Sequence, residues 1–285
     1  MTGRRIIDAH HHVWDLAVRP QPWIAGDALK PLARSFSVTD LEPQARAAGV
    51  TATVVVQTVC VPEETPELLA LAAEDGPVAG VVGWTDLTAP DVASALAALR
   101  ESRGGDRLVG IRHQVQEESD PRWLLRTDVR RGLHAVAEAG LVYDLVVKPH
   151  QLRAAAAAAA GLPGLTFVLD HLGKPPIASG TLDAWAADLR ALTALPNTVC
   201  KLSGLVTEAT PGSWTVEDLR PCAETAFDAF GPHRLLFGSD WPVSTLEAGY
   251  GEIVGIADRL TEGLSADEKE AVFQRNAARV YRLTQ

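Results

Sequence analysis

The chain opens on the stretch Ile6-Ile7-Asp8-Ala9-His10-His11-His12-Val13-Trp14, where an apolar run leads into three consecutive histidines. A run of this kind predicts a buried β-strand, and side chains two residues apart on a strand lie on the same face. His10 and His12 can therefore be directed at one point, as metal ligation or a shared proton relay requires. His11 is directed to the opposite face, and we interpret it as a packed histidine.

Similar apolar runs recur along the whole chain, and most are continuous, as strands buried on both faces are. The eight predicted strands are Arg5–His10, Ala52–Gln57, Val78–Trp84, Leu108–Arg112, Val142–Val147, Thr166–Asp170, Thr198–Lys201 and Arg234–Gly238. Their spacing is that of βα units, which predicts a (β/α)8 barrel, regular or slightly distorted. An open doubly wound sheet is the alternative, but no G-x-G-x-x-G follows an early strand.

Helical signals lie between these runs. Thr39-x-x-Glu42 and Ser265-x-x-Glu268 have the pattern of capping boxes, and Thr65-Pro66 has that of an N-cap followed by proline. Apolar residues over Thr215–Phe230 have helical spacing, and the alanine run Ala154–Ala160 favours a helix.

The proline-rich segment 17–34 predicts a long loop over the barrel mouth. No linker or repeat divides the chain, so we predict a single domain over residues 1–285.

The composition excludes several classes of protein. A net charge of −10 argues against binding to nucleic acid or to anionic membranes, and no apolar stretch is long enough to span a bilayer. The three cysteines Cys60, Cys200 and Cys222 are scattered, which argues against a disulfide framework and a cysteine-zinc module. We expect a cytoplasmic protein that acts on a small molecule. Barrels of this size often form dimers, so a homodimer is one expectation.

Titratable and aromatic side chains are concentrated at the carboxyl ends of the predicted strands, where barrel enzymes have their active sites. The set comprises His10, His12, Trp14, Gln57, Trp84, Asp86, Arg112, His113, Lys148, His150, Asp170, His171, Lys174, Lys201, Ser203, Asp240 and Trp241. These residues come from remote parts of the chain, and maintenance of the fold does not explain their concentration at one rim. The pattern therefore predicts an active site.

Within this set, His10, His12, His171 and Asp240 form a sound ligand group for zinc or a similar divalent ion. An alternative interpretation makes Asp240 a turn residue, because Gly238-Ser239 precedes it and proline follows it. Of the neighbours Asp170 and His171, we favour His171 as the one that faces inward.

The remaining polar and aromatic residues of the rim are candidates for substrate binding. The three indoles either pack in the core or cover the apolar face of a sugar-like ring. Arg112 is predicted to face the ligand, and Lys174 is either a solvated loop charge or a substrate contact. The predicted substrate-binding residues are Trp14, Trp84, Gln57, His113, Lys174 and Trp241.

Four stretches together resemble the amidohydrolase superfamily, and more narrowly its lactonase branch, which includes fuconolactonase, rhamnonolactonase and pyrone-dicarboxylate lactonase. The stretches are Asp8–Asp15, Val109–His113, Val168–Pro175 and Phe237–Pro242. The most branch-specific piece is Asp-His-x-Gly-Lys-Pro, and the likeness extends to Asn276–Tyr281. The resemblance implies a barrel that hydrolyses a cyclic ester, with its site at His10, His12, His171 and Asp240.

One departure concerns the number of metal ions. Dinuclear members of the superfamily use a lysine on the fourth strand as a bridging ligand, whereas this strand ends in Arg112-His113. We therefore expect one divalent ion, zinc before others, with metal-independent catalysis as the alternative. The role of Asp144 and His150 on the fifth strand is left open.

The predicted enzyme is a hydrolase of carbohydrate catabolism that opens an L-fucono-, L-rhamnono- or galactono-lactone-like substrate. Asp240 acts as general base toward water. A zinc ion held by His10, His12 and His171, or in its absence these histidines with Arg112, offsets the developing oxyanion. The main alternative is a metal-dependent non-oxidative decarboxylase of an aromatic or unsaturated acid, which the Gly-Lys-Pro sequence after His171 disfavours. An amide or phosphoester hydrolase and a non-enzymatic binding protein are weaker alternatives.

Overall fold

Eight parallel strands form one sheet in which each strand pairs with the next in the chain. In the computed structural model, which describes residues 5–283, they are β1 (Ile6–His11), β2 (Val50–Val56), β3 (Val78–Gly83), β4 (Leu108–His113), β5 (Val142–Leu145), β6 (Phe167–Leu169), β7 (Thr198–Leu202) and β8 (Leu235–Phe237). Beyond β8, the backbone returns to β1, where Asp240 N–H donates to His10 O (2.8 Å) and His12 N–H donates to Trp241 O (2.7 Å). The sheet is thus a nearly closed barrel, and the predicted fold is confirmed.

Helices cover the outside of the sheet. They are α1 (Val38–Ala47), α2 (Glu64–Ala72), α3 (Val92–Glu101), α4 (Thr127–Glu138), α5 (Leu152–Gly161), α6 (Asp183–Thr193), α7 (Val216–Phe230), α8 (Tyr250–Leu260), α9 (Ala266–Glu270) and α10 (Asn276–Val280). The alanine run lies in α5, and the predicted amphipathic segment is α7. Over residues 5–283, no helix combines the length and apolarity that a bilayer crossing needs. The ends of the predicted 1–285 domain lie outside the described residues.

The helix starts differ from two of the predictions. The capping box at Ser265 is confirmed, but α1 is capped two residues earlier than predicted, by Ser37 with Asp40, because Ser37 has the extended backbone that a cap requires. The predicted cap at Thr65 is also wrong. Its hydroxyl instead donates to Trp84 O (2.9 Å) and accepts Trp84 N–H (2.7 Å), which ties α2 to the end of β3.

The predicted loop 17–34 contains one short 3₁₀ helix, Asp27–Leu32. Its end is held to the residues after β1, because the Trp14 indole N–H donates to Arg34 O (2.7 Å).

The barrel interior is arranged in layers, as barrels of this class are. The lower layer is apolar and is closed from below by Ala277, Val280 and Tyr281 of the C-terminal segment. Above this apolar layer, toward the carboxyl ends of the strands, the inward positions of four strands carry charged side chains. The apolar inward residues are Ile7, Ala9, Val54, Val56, Val82, Val142, Val168, Val199 and Leu236, and the charged residues above them are Arg112, Asp144, Asp170 and Lys201.

Candidate active site

Three imidazoles and one carboxylate converge above the charged layer. His10 Nε2 lies 3.1 Å from His12 Nε2, and Asp240 Oδ1 lies 3.7 Å and 3.6 Å from these two atoms. His171 Nε2 lies 3.8 Å from the same carboxylate oxygen. All four side chains are buried, so the structure brings together the four residues that the sequence predicts as one site.

His10, His12 and Asp240 bring their donor atoms close enough to hold one divalent ion, and His171 lies beside Asp240. Two ligand atoms about 2.0–2.1 Å from a zinc ion are about 3.4 Å apart in tetrahedral geometry, and the separations among His10, His12 and Asp240, 3.1, 3.6 and 3.7 Å, lie near that value. The outer nitrogens are fixed as metal-binding histidines require. His12 Nδ1 lies 2.7 Å from Val56 O, and His171 Nδ1 lies 2.9 Å from Ser203 Oγ, which leaves Nε2 of both rings for the centre.

The strand β1 supplies two of these imidazoles because its register against β2 shifts between Asp8 and His11. Ile7 and Ala9 belong to the interior layer, and after the shift His10 is also directed inward, toward Lys201. His11 points the other way, with Nε2 2.9 Å from the hydroxyl of Thr53, as the packed-histidine interpretation predicts.

The loop that carries Asp240 is anchored to β1 by a buried carboxylate. Asp8 accepts the backbone N–H of Ser239 (2.8 Å) and its hydroxyl (2.6 Å). The hydroxyl of Tyr250 in α8 and the backbone N–H of His10 also donate to Asp8, at 2.9 Å and 3.1 Å. One side chain thus fixes the position of Asp240 relative to His10.

The backbone of the site adopts left-handed conformations at non-glycine residues. His171 has φ 53° and Asp240 has φ 56°, values that non-glycine residues adopt only where the surroundings hold them. Gly204, itself at φ +64°, lies directly against the His171 ring, and a Cβ there would be 2.5 Å from Nδ1. A Cβ at Gly238 would be 2.8 Å from His10 Cβ. Gly204 thus leaves the space that the His171 imidazole occupies, and Gly238 lets β8 approach the base of the His10 side chain.

Burial and neighbouring groups also shift the pKa values of His10, His171 and Asp240. Burial lowers the pKa of His10 well below its ordinary value and that of His171 to about 4, so both rings are neutral at neutral pH. Burial alone would raise the pKa of Asp240, but His171 and His12 beside it hold this pKa below its usual value. A carboxylate beside the neutral imidazoles of His10 and His171 is ready to bind a cation.

Below these residues lies a charged layer that the sequence analysis only partly anticipates. Asp170 Oδ1 is 2.9 Å from Lys201 Nζ and 3.3 Å from His10 Nδ1, and Asp170 Oδ2 is 2.9 Å from Arg112 Nη1. The prediction that only one of Asp170 and His171 faces inward is wrong. The left-handed backbone at His171 turns both side chains toward the barrel axis.

Arg112 is buried at the centre of the barrel rather than exposed at the mouth. Its guanidinium is held by Asp170 and by Gln57, whose Oε1 accepts from Arg112 Nε (3.3 Å) and Nη2 (3.1 Å). Arg112 Nη1 also lies 3.4 Å from His10 Nε2. The described contacts of Gln57 are with protein groups, so its substrate contact stays a prediction.

Trp84 and His113 form one side of the mouth together with Trp123 and Glu118. The indole N–H of Trp84 donates to His113 Nδ1 (3.0 Å), and His113 Nε2 lies 2.7 Å from Glu118 Oε1. The His113 ring stacks on Trp123 with centroids 4.1 Å apart. The two predicted residues are therefore parts of one half-buried aromatic surface.

Trp14 and Trp241 lie in a different environment. Both are buried and make edge contacts with the same ring, Phe36, at centroid distances of 5.1 Å and 5.5 Å. Because these contacts are with protein atoms, both indoles pack in the core, which is one of the two predicted interpretations. Contact of Trp14 or Trp241 with a substrate stays a prediction.

Lys174 is half-buried beside a residue that the sequence analysis missed. Its Nζ lies 3.6 Å from Glu208 Oε1, in the segment after β7. No sequence motif contains Glu208. Its position in a loop after a predicted barrel strand was the one feature of the sequence that could have indicated a role in the site. His150 is exposed on the 3₁₀ turn Pro149–Gln151 and makes no described contact with the four converging residues.

Sequence and structure comparisons with known proteins identify the same family for this chain. A family model described as Amidohydrolase matches residues 7–283. The chain is 41% identical to an L-fucono-1,5-lactonase of Burkholderia multivorans over 99% of this chain and 97% of that protein, and 37% identical to an L-fucono-1,5-lactonase of Burkholderia ambifaria over 97% and 95%.

A crystal structure of a Burkholderia multivorans amidohydrolase with bound zinc has a TM-score of 0.93 and 41% identity, and the match covers 98% of this chain and 99% of that chain. The family match confirms the predicted resemblance, and with it the prediction that the protein is a hydrolase. The chain belongs to the amidohydrolase family.

Proposed function

We propose that this protein hydrolyses the cyclic ester of a sugar-acid lactone. The observation that carries the proposal is the convergence of His10, His12, His171 and Asp240 in a buried cluster at the carboxyl ends of the strands. The lactonase names of relatives at 41% and 37% identity over nearly the whole chain support the choice of an L-fucono-lactone-like substrate.

We further propose that the four converging residues hold one zinc ion. His10, His12 and Asp240 lie close enough to hold one ion, with His171 beside Asp240, and imidazole nitrogens and carboxylate oxygens are ligands that zinc prefers. A crystal structure of a relative with bound zinc has the same fold at 41% identity. When bound, such an ion polarises a carbonyl oxygen and stabilises the negative charge that develops there.

Asp240 is the proposed general base. Its lowered pKa keeps the carboxylate ionised at neutral pH, so it can accept a proton from water as that water attacks the lactone carbonyl. The ring oxygen leaves as an alkoxide when the C–O bond breaks, and Asp240 returns the proton to it. Its left-handed backbone and the Ser239–Asp8 anchor hold the carboxylate beside the imidazoles for both steps.

Substrate recognition is proposed for the half-buried residues around the mouth. Lys174 and Glu208 offer a donor and an acceptor in adjacent positions, a pair suited to sugar hydroxyl groups. Trp84 offers an aromatic surface on the other side, next to His113. A cytoplasmic location, a role in carbohydrate catabolism and a homodimer stay predictions.

A panel of sugar lactones assayed with a pH indicator, with and without a chelator, tests the proposal. Ring opening releases acid, so we expect a pH drop with one or more 1,5- or 1,4-lactones, and its loss after chelation. Elemental analysis of the purified protein identifies the ion. Release of carbon dioxide from aromatic acids, with no acid from any lactone, would instead identify a decarboxylase.

A further inference from the structure

Directly beneath the His10 ring lies a cluster of four fully or nearly buried charges, which we call the charged layer: Arg112, Asp144, Asp170 and Lys201. It contains two cations and two carboxylates, so it is neutral as a unit. Lys201 Nζ contacts Asp144 Oδ2 at 2.6 Å, Asp170 Oδ1 at 2.9 Å and His10 Nδ1 at 3.0 Å. Asp170 is the carboxylate of this layer that touches a proposed metal ligand.

The Nδ1 atom of His10 has two neighbours with opposite requirements. The ammonium group of Lys201 favours an unprotonated Nδ1 that accepts a proton, whereas the Asp170 carboxylate favours a protonated Nδ1 that donates one. His10 Nε2 is the atom that meets His12 and Asp240. A neutral imidazole that uses Nε2 as a metal ligand must carry its proton on Nδ1, so only Asp170 satisfies the metal-binding form.

We infer that Asp170 is a positioning residue that accepts the Nδ1–H of His10 and thereby directs Nε2 to the metal. The inference rests on the proposed zinc centre and deepens it. Arg112 Nη1 donates to Asp170 Oδ2 (2.9 Å), which fixes the carboxylate, and Lys201 Nζ lies 2.9 Å from Oδ1. Oδ1 is buried and accepts no hydrogen bond from the described residues, so it remains available to the Nδ1–H of His10. Arg112 and Lys201 thus act on the centre through Asp170, and the charged layer is a built support for one ligand.

The geometry supplies a matched control in Asp144. This carboxylate is equally buried and shares Lys201 with Asp170, and its other partner is the Tyr281 hydroxyl at 2.9 Å and 3.0 Å. No contact with His10 is described for it. Asp144→Asn therefore removes one carboxylate charge from the same charged layer, as Asp170→Asn does, but it leaves Asp170 in place as the acceptor of the His10 Nδ1–H.

The test measures zinc affinity by competition with a chromophoric chelator on the wild type, Asp170→Asn and Asp144→Asn. We expect Asp170→Asn to weaken zinc binding by about 10–100-fold, the usual effect of removing an outer-shell partner, and Asp144→Asn to weaken it by less than about tenfold. The visible spectrum of the cobalt-substituted protein should change in Asp170→Asn and match that of the wild type in Asp144→Asn.

Equal losses in both variants would overturn the inference, since they would indicate a general structural role of the layer. Wild-type affinity and spectrum in Asp170→Asn would also overturn it, as would a wild type that binds no zinc.

If Asp170→Asn does not fold, the inference is tested by ¹⁵N NMR of the wild type with labelled histidine and bound zinc. We expect a protonated Nδ1 at His10, identified by its loss in His10→Gln, and an unprotonated Nδ1 refutes the role. None of these readouts uses a lactone, so a failure of the lactone assay is a separate result.

Discussion

Asp240 shows how much the site depends on the conformation of one residue. Its Oδ1 lies within 3.8 Å of three imidazole nitrogens, at a left-handed backbone position that carries an energetic cost for aspartate. The hydrogen bonds of Ser239 to Asp8 hold that conformation from below. The strain is therefore located where the carboxylate must meet both water and the histidines.

Replacing Asp240 with asparagine should lower kcat by about 10²–10⁴-fold, the range that general acid–base catalysis contributes, because an amide does not accept a proton from water. Steady-state kinetics on the lactone identified in the panel, with the zinc content of each preparation determined, measure the effect. Asp188→Asn serves as the control, since Asp188 pairs with Arg153 away from the site (2.8 Å). Wild-type turnover in Asp240→Asn would exclude it as the base.

The segments that follow the strands place three of the four converging side chains, whereas His10 lies within β1. Gly204 follows β7 and packs its backbone against the His171 ring, where Ser203 also contacts Nδ1. The element β7 thus positions a ligand that belongs to the segment after β6. A side chain at this position meets two penalties, the left-handed φ and the close approach of the imidazole.

We expect Gly204→Ala to displace His171 and to reduce both zinc affinity and kcat/KM while the barrel stays folded. Circular dichroism, chelator competition and steady-state kinetics measure these three properties. Gly212→Ala is a matched control, because Gly212 also has a positive φ (+64°) but nothing lies within 4 Å of its added Cβ. Equal activity in the two variants would contradict the argument.

A second element-scale feature is Glu64, at the first turn of α2. Its buried carboxylate accepts the backbone N–H groups of Thr58 (2.9 Å and 3.0 Å) and Val59 (3.1 Å), and so holds the segment after β2. Burial raises the pKa of Glu64 above its usual value, and these hydrogen bonds offset the increase only in part. The folded protein therefore retains this proton to a higher pH than the unfolded chain.

Because the folded-state pKa is the higher one, Glu64 should make the free energy of unfolding fall as the pH rises from about 4.5 to the folded-state pKa. Glu64→Gln has no such proton at this position. The difference in unfolding free energy, wild type minus Glu64→Gln, should therefore decrease across this window in urea titrations at a series of pH values. A constant difference would show that the pKa of Glu64 is not raised by folding.

At the scale of the whole molecule, the proposed zinc site joins distant parts of the barrel. Its ligands lie in or directly after β1 and in the segments after β6 and β8, so a bound ion links the two strands that close the sheet. Removal of zinc should lower the melting temperature, since a ligand that binds only the folded state stabilises it by about 4 kcal/mol at 1,000 times its Kd. Calorimetry of the protein treated with chelator, and then supplied with zinc or magnesium, measures the change in melting temperature. An unchanged melting temperature in protein free of zinc would contradict the prediction.

Much of the fold was predictable from the sequence because its signals are local. Each strand is an apolar run, and hydrophobicity and spacing are properties of a few neighbouring residues. The two wrong helix starts, at Thr39 and Thr65, have a common cause. Several residues near a helix start have capping chemistry, and only the backbone conformation at Ser37 and the packing of Thr65 against β3 select among them.

The sequence by itself determined the barrel, the common face of His10 and His12, and the presence of His171 and Asp240 at the same rim, because strand alternation and strand order follow from pattern alone. The register shift of β1 after Asp8 decided that this common face points inward. Only the tertiary structure decided that Asp170 also faces inward and that Lys201 and Arg112 hold it beneath His10. Those contacts join side chains from separate strands. Their geometry depends on the closure of the barrel and on the left-handed turn at His171, which no local pattern specifies.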